Sequence, residues 1–477
     1  MPLLLTLSGW TGRAGRLPGV SSLRAFRLGL AAGIPYYVGT VYWTGTVIAT
    51  FGDVPMPVAV LAMLLLAAYL ALYPALTAVA VARCTRAFGV WGLLVAPPAW
   101  VATEYLRGLL FGGFPWVPLG NSQVTVLPVA QLASVLGVYG LSLLVAGVNA
   151  GITVSLLSSG RRRAGAIVAT AAVLVAVGGW GAARIGAGTL LREGTPLTVG
   201  LLQGNIEQQD KWKPGEARRI FTTYVAMTRD AVRRGAQFVL WPESSTPFMF
   251  EEDTAGGEQL RALAREVAVP ILFGSDQVER GEAVRLYNAA FLVDPAGATA
   301  AVYRKIHLVP FGEFIPLKQW LYFVSPLVES LAEFAPGTAP VMLPVGAHRA
   351  STAICYEVVY PSLVRDAVRD GSELITTITN DAWYGHSSAP WQHFALASMR
   401  AIEQGRYLAR AANTGISGVV DPYGRVVAQT GLFEEVGLVS EVRLLTGLTI
   451  YGRIGDVAAW VALGVTAAAL LASSRAA

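Results

Sequence analysis

Residues 350–357 read ASTAICYE, an apolar run that delivers a cysteine and then an acid. Small and β-branched residues dominate 350–355, which predicts a buried strand ending at Cys355. A helical pattern follows at 358–369, and a second strand-like run, ELITTIT, occupies 373–379. Strand, helix and strand in close succession form the unit from which layered α/β domains are built. Cys84 and Cys355 are the two cysteines of a 477-residue chain, so neither a disulfide framework nor a thiolate metal cage is available. Taken alone, Cys355 has two readings: a buried core thiol, the commoner use of a free cysteine, or a nucleophile presented at a strand end.

The same alternation extends outward on both sides. Strands are expected at 197–203, 237–241, 270–274, 286–294, 298–304, 350–355, 373–379 and 416–421, with helices at 214–234, 256–268, 358–369 and 390–407. A region of about 250 residues is large enough to hold a full core. In such sheets reactive groups gather where strands end and the chain turns. Glu243 ends a strand in FVLWPESS, where Pro242 stops the ladder, and Lys305 follows the strand AVYR. A thiol is mostly protonated at neutral pH, so its attack needs a base and a positive neighbour. Glu243 supplies a proton acceptor; Lys305, with the backbone N–H of Tyr356, supplies donors for a tetrahedral oxyanion. The ordinary reading of each is a solvated surface charge.

Ahead of this region the solvent changes. The whole chain is 54% hydrophobic and only 14% charged, with a mean hydropathy of +0.51. Asp53 and Glu104 are the acids that precede Glu193, and no lysine precedes Lys211. Runs long enough to cross a bilayer are expected at 26–50, 56–82, 89–112, 130–157, 164–187 and 455–473. The opening MPLLLTLSGW is too short to span and lacks the basic start and cleavage site of a signal peptide. Arginines at 13, 16, 24 and 27, at 83 and 86, and at 161–163 mark cytoplasmic loops. Alternate crossing then puts the segment between the fifth and sixth spans outside. The expected organisation is a multi-pass helical membrane domain at 1–190, an extracytoplasmic α/β domain at 191–445 and a final membrane helix within 446–477. The formal net charge of +5 reflects this topology and implies no nucleic-acid partner.

Three segments, WPES at 241–244, YRKIHLVPFGE at 303–313 and ICYE at 354–357, occur in an order that resembles the nitrilase, or carbon–nitrogen hydrolase, superfamily. The resemblance implies a Glu–Lys–Cys triad on an α-β-β-α sandwich. With QGNIEQQDKW at 203–212, NDAWYG at 380–385, WQH at 391–393, EYLRGLLFGGFPW at 104–116 and the apolar spans, the chain resembles the bacterial apolipoprotein N-acyltransferase branch from about residue 25 onward. That resemblance implies transfer of an acyl chain from a phospholipid, typically phosphatidylethanolamine, to the N-terminal amine of a diacylglyceryl-cysteine apolipoprotein. It makes Glu243 the base, Lys305 the oxyanion lysine and Cys355 the nucleophile. Glu313, Trp212, Tyr356 and Glu357 match supporting positions, and Trp116 and Glu104 belong to the membrane-domain motif. No cofactor is implied. Members of the branch are expected to have eight spans, so the first and most of the second are expected to be missing here.

Other features carry less. His307, His348, His386 and His393 show no metal-ligand spacing, and no G-x-S-x-G nucleophile elbow occurs. Glu104 and Arg107 lie three residues apart on one helix, placed either to hold the end of the span or to touch a lipid headgroup. The aromatic-rich segment 314–337, with Trp320 and Phe323, is either a core helix or an interfacial lid contacting lipid. The competing activity is hydrolysis of a small C–N substrate by a membrane-anchored amidase using the same triad.

Overall fold

Apolar residues fill both faces of most strands in the region 195–444, which calls for cover on each side of a sheet. The computed structural model describes residues 2–9, 20–52, 54–211, 213, 215–310, 312–314 and 333–476. Its chain divides into two units, Met1–Ala187 with Ile454–Ala477, and Gly188–Arg453.

In the unit Gly188–Arg453 the strands are β1 Thr195–Gln203, β2 Phe238–Leu240, β3 Ile271–Arg280, β4 Val284–Val293, β5 Thr299–Arg304, β6 Leu343–Val345, β7 His348–Ile354, β8 Leu374–Thr379, β9 Leu408–Ala412, β10 Gly418–Val420, β11 Val426–Gln429 and β12 Val436–Leu444. They form two six-stranded sheets, ordered β12-β1-β2-β3-β4-β5 and β11-β10-β9-β8-β7-β6. The central runs β1-β2-β3 and β7-β8-β9 are parallel. Alternation sorts the side chains: Val199, Leu201, Leu272, Ala290 and Leu292 pack with Ile354, Leu374, Ile378 and Ala411 of the other sheet. Leu202, Phe273, Ala289 and Phe291 turn the other way and pack with Ile220, Tyr224, Leu260 and Leu263 of the helices Ala217–Arg233 and Thr254–Val267. The helices Pro361–Arg369 and Ala389–Gln404 belong to the second sheet. This is the expected α-β-β-α sandwich.

Two local features fix the end of β2, where Glu243 follows. Trp241 is fully buried, stacks on Tyr224 at 5.0 Å and donates from Nε1 to Thr228 Oγ1 at 2.9 Å. Gly274 of β3 passes directly under the turn, and a Cβ there would lie 2.6 Å from Glu243 Cα, so any side chain would push the acid out of place.

The other unit is helical. Ser22–Val41 and Trp43–Phe51 cover the first expected span, and Met56–Phe88 the second. The third begins as a 3₁₀ turn, Gly89–Val95, and continues as Ala96–Arg107. Ala133–Leu157, Gly160–Ala187 and Val457–Ala476 follow. Four helical stretches among the described residues are long and apolar enough to cross a membrane: Met56–Arg107, Ala133–Leu157, Gly160–Leu191 and Val457–Arg475. Small residues bring Ser22–Val41 against Met56–Phe88, since a Cβ on Gly29 would sit within 2.4 Å of Ala75 Cα.

Candidate active site

Burial forces the charged groups at one end of the sandwich to satisfy one another. Lys305, just beyond β5 and 1% exposed, donates from Nζ to Glu243 Oε1 at 3.2 Å and to Glu313 Oε1 at 2.8 Å. The Asn288 amide, from β4, donates to the same two oxygens at 2.7 and 2.9 Å. Glu243 Oε2 accepts the Asn380 backbone N–H at 2.9 Å, and the Glu243 carbonyl accepts Lys211 Nζ at 3.3 Å. Burial alone would raise the Glu243 carboxyl, but Lys305, Asn288 and Lys211 outweigh it and hold it below its ordinary value. The ammonium of Lys305 is likewise penalised by burial, yet Glu243 and Glu313 raise it well above the usual lysine range. Glu243 is therefore an anion, ready to accept a proton, and Lys305 a fixed cation.

Cys355 begins a short 3₁₀ turn, Cys355–Val359, immediately after β7, and does so at φ +53°, a left-handed conformation that costs a non-glycine residue about 1–3 kcal/mol. Thr379 at the end of β8 hydrogen-bonds the thiol, and the next residue, Asn380, is the one whose N–H holds Glu243. Thr379 and Asn380 thus tie Cys355 and Glu243 to two adjacent residues. Burial and then the Glu243 charge push the Cys355 thiol far above its ordinary value, and Lys305 offsets only part of this. The resting thiol is protonated, so any attack by its sulfur needs a proton acceptor at the moment of attack.

Glu357 works on the scaffold. Its Oε1 accepts from Tyr303 Oη at 2.8 Å, Ile306 N at 2.6 Å and His307 N at 3.1 Å, and its Oε2 from Ile354 N at 2.7 Å. Burial pushes its carboxyl up to about 7 against the pull of these donors and Lys305. The side chain ties the turn after β7 to the segment carrying Lys305. Glu313 also donates order to that loop, accepting Val309 N at 2.7 Å. Tyr356 is buried, edge-on to Tyr360 with ring centroids 5.4 Å apart.

Sequence reasoning thus placed Glu243, Lys305, Cys355, Glu313, Tyr356 and Glu357, which the fold brings together. Trp212, Trp320 and Phe323 lie outside the described residues, as does 315–332 of the expected lid. Glu104 and Trp116 belong to the helical unit. There Glu104 accepts from Trp100 Nε1 at 3.2 Å, Leu119 N at 2.7 Å and Ser142 Oγ at 2.5 Å. Arg107 donates to the carbonyl oxygens of Phe114 and Trp116 at 3.1 and 2.8 Å. Arg107 holds the FPW loop, and Glu104 holds the chain just beyond it at Leu119.

Sequence reasoning gave no role to Asn288, to Lys211 or to a buried trio of Asp381, His393 and Arg410, although Lys211, Asp381 and His393 lie in segments that carry the resemblance. Burial depresses Lys211 to about 8 and pushes Asp276 of β3 up to about 6, each shift partly offset by the other's charge. A lone asparagine within the apolar run LYNAAFLVD was the available signal for Asn288. Cys355 Sγ, an Asp381 oxygen and a His393 nitrogen come within 4.8 Å of one another, a metal-like grouping. Both ring nitrogens are engaged, however: Nδ1 lies 2.9 Å from Asp381 Oδ1 and Nε2 lies 3.1 Å from the Cys355 carbonyl oxygen.

A carboxylate, an ammonium and a strand-end cysteine on an α-β-β-α sandwich define a carbon–nitrogen hydrolase of the nitrilase type. Residues 198–446 match the carbon-nitrogen hydrolase family and residues 2–151 the apolipoprotein N-acyltransferase N-terminal domain. Curated relatives named apolipoprotein N-acyltransferase include those of Geobacter metallireducens, 39% identical over 95% of this chain and 88% of that protein, and Nitrosomonas europaea, 35% identical over 99% and 92%. Among solved structures, a Nesterenkonia AN1 amidase of the nitrilase superfamily aligns with 55% of this chain and 94% of its own, at 23% identity and a TM-score of 0.41. The chain belongs to the apolipoprotein N-acyltransferase family.

Proposed function

We propose that this membrane-bound acyltransferase works by a ping-pong route through a thioester on Cys355, with a phospholipid as acyl donor and a diacylglyceryl-cysteine apolipoprotein as acceptor. The observation that carries the reading is the buried Glu243, held at Oε1 by Lys305 and Asn288 and at Oε2 by the Asn380 N–H, at the same end of the sandwich as Cys355 in its strained turn. In the first half-reaction Cys355 Sγ attacks the ester carbonyl carbon while Glu243 accepts the thiol proton. The carbonyl electron pair moves onto oxygen, where Lys305 and the Tyr356 N–H stabilise it. Collapse breaks the C–O bond, the departing alkoxide takes the proton from Glu243, and a lysophospholipid leaves. In the second half-reaction the acceptor amine attacks the thioester carbonyl, Glu243 takes the amine proton, and it returns that proton to the departing sulfur. A thioester divides one difficult transfer into two easier ones and stays reactive toward an amine.

Intact-mass measurement of the full chain in detergent with phosphatidylethanolamine tests this. One acyl group should appear on Cys355 and disappear on adding a diacylglyceryl-cysteine peptide, with the amide product accumulating in step. An adduct lost to water as fast as to the peptide would overturn the transfer reading in favour of an amidase-like hydrolase.

The same reading places Gly188–Arg453 outside the cytoplasm, supported by Arg83 and Arg86 near the end of the helix Met56–Phe88 and Arg161–Arg163 in the first turn of Gly160–Ala187, helical where loops were expected but still at the ends of the apolar stretches. In a chain with both native cysteines replaced by alanine, a membrane-impermeant maleimide should label Gln259→Cys in intact spheroplasts and Ser159→Cys only after lysis; both positions are exposed. Reversed labelling would put the unit in the cytoplasm.

A further inference from the structure

Behind Cys355 lies a buried ionic cluster that the proposed chemistry leaves without a task. His393, on the helix Ala389–Gln404, is fully buried. Its Nε2 faces the Cys355 carbonyl oxygen at 3.1 Å. A carbonyl oxygen can only accept, so Nε2 carries a proton. The other ring nitrogen sits between two partners, Asp381 Oδ1 at 2.9 Å and Arg410 Nη2 at 3.1 Å. As a lone pair it accepts from the guanidinium, and as an N–H it donates to the carboxylate. Either way the Nε2–H stays aimed at Cys355. Asp381 is itself held, with Arg410 Nη2 donating to its Oδ2 at 2.7 Å and Thr379 Oγ1 to its Oδ1 at 2.9 Å. Arg410 is anchored in turn by the Ile416 carbonyl at 3.2 Å. Such an arrangement fixes the direction of one ring N–H, much as a carboxylate fixes a catalytic histidine, but here the ring grips backbone rather than a nucleophile.

The grip has a geometric consequence. The Cys355 carbonyl and the Tyr356 N–H belong to one planar peptide group and point in opposite directions. Pinning the oxygen therefore sets the direction of the N–H. Cys355 adopts a positive φ, a conformation that persists only where surrounding structure enforces it. We propose that His393, backed by Asp381 and Arg410, is a positioning residue that holds the Cys355–Tyr356 peptide plane and so aims the Tyr356 N–H at the oxyanion formed during acylation of Cys355. This rests on the reading of Cys355 as the acyl carrier.

Two reactions of the same sulfur separate aim from integrity. Iodoacetamide alkylates Cys355 by displacement of iodide at a saturated carbon and makes no oxyanion, whereas p-nitrophenyl butyrate acylates it through one. Both rates are read by intact mass on the full chain in detergent, with Cys84→Ala as the parent. Glutamine can place its amide N–H near the position of Nε2, while asparagine reaches only that of Nδ1. The expected result is that His393→Asn slows acylation by about 100-fold, the usual effect of losing one oxyanion donor, with alkylation within about threefold of the parent. His393→Gln should keep acylation within about tenfold of the parent. Equal slowing of both reactions in His393→Asn, unchanged acylation in it, or no recovery by His393→Gln would overturn the proposal. A parent that alkylates at Cys355 but never acylates there would instead overturn the acyl-carrier reading.

Discussion

Cys355→Ala should abolish acyl-enzyme formation and lipoprotein acylation together, a fall on the order of 10⁴-fold or more, because on the proposed route Cys355 is the nucleophile and its partners cannot replace it. Cys84→Ala should leave both within about twofold. Cys84 is packed against Leu7, Val81 and Leu93 in the core of the helical unit, so its truncation removes a small apolar contact and no reacting group. Cys355→Ser serves as the fold control, since it keeps the size of the side chain at the strained turn. Radiolabelled acyl transfer to a diacylglyceryl-cysteine peptide, with adduct mass in parallel, measures both. Retained transfer in Cys355→Ala would remove the thioester from the mechanism.

Lys305→Met should be nearly as damaging, at about 10³-fold or more in transfer, and it should also weaken the fold. In the parent one ammonium lies between two buried carboxylates, 3.2 Å from Glu243 and 2.8 Å from Glu313. Removing it takes away the shared counter-ion of both acids and leaves them the Asn288 amide and the backbone N–H groups of Asn380 and Val309, a loss of about 3–5 kcal/mol for breaking a buried ion pair. The loss has a pH signature. Glu243 titrates below its ordinary value in the parent, so its contribution to stability is present above pH of about 4.5 and fades as the pH falls through its folded value. Without Lys305 the burial cost acts with less opposition, and the variant becomes worse as the Glu243 carboxyl is forced to ionise. The difference in thermal midpoint between parent and variant in detergent should therefore widen as pH rises from about 4 to 7. A constant difference across that range would mean that Lys305 is not the counter-ion of Glu243.

What the chain discloses and what it hides follow from how local each signal is. Glu243, Lys305 and Cys355 were legible because each follows a short β-rich run that a proline, a loop or an acid interrupts. Arg410 was not, and with it went β9: LARAA falls just past the helix expected at 390–407 and belongs to no expected strand, because only the ion pair with Asp381 makes an arginine acceptable in a buried strand. β3 was expected to stop at 274, where polar residues begin, but its remaining half, Ser275–Arg280, pairs antiparallel with β4. β12 pairs with β1 across more than 230 residues of chain, a partnership that no local pattern announces. The first expected span is interrupted at Tyr42, between two helices, and the third starts as a 3₁₀ turn between Gly89 and Val95, since hydropathy registers apolarity and not helix continuity. Asn288 shows the limit most clearly. A single amide in mid-strand carries no motif, yet it touches both carboxylates of the site.

Glu243 has no freedom to swing. Asn288 and Lys305 hold one oxygen, the Asn380 N–H the other, and Lys211 its own backbone carbonyl. A base that stays still must be visited in turn by the alcohol that departs and the amine that arrives, at one and the same point in space. The two substrates then queue for a single seat. On the proposed route, lysophospholipid lingering in the bilayer would compete directly with incoming lipoprotein, and the pace of the enzyme in a living membrane would be governed by how quickly that by-product is cleared.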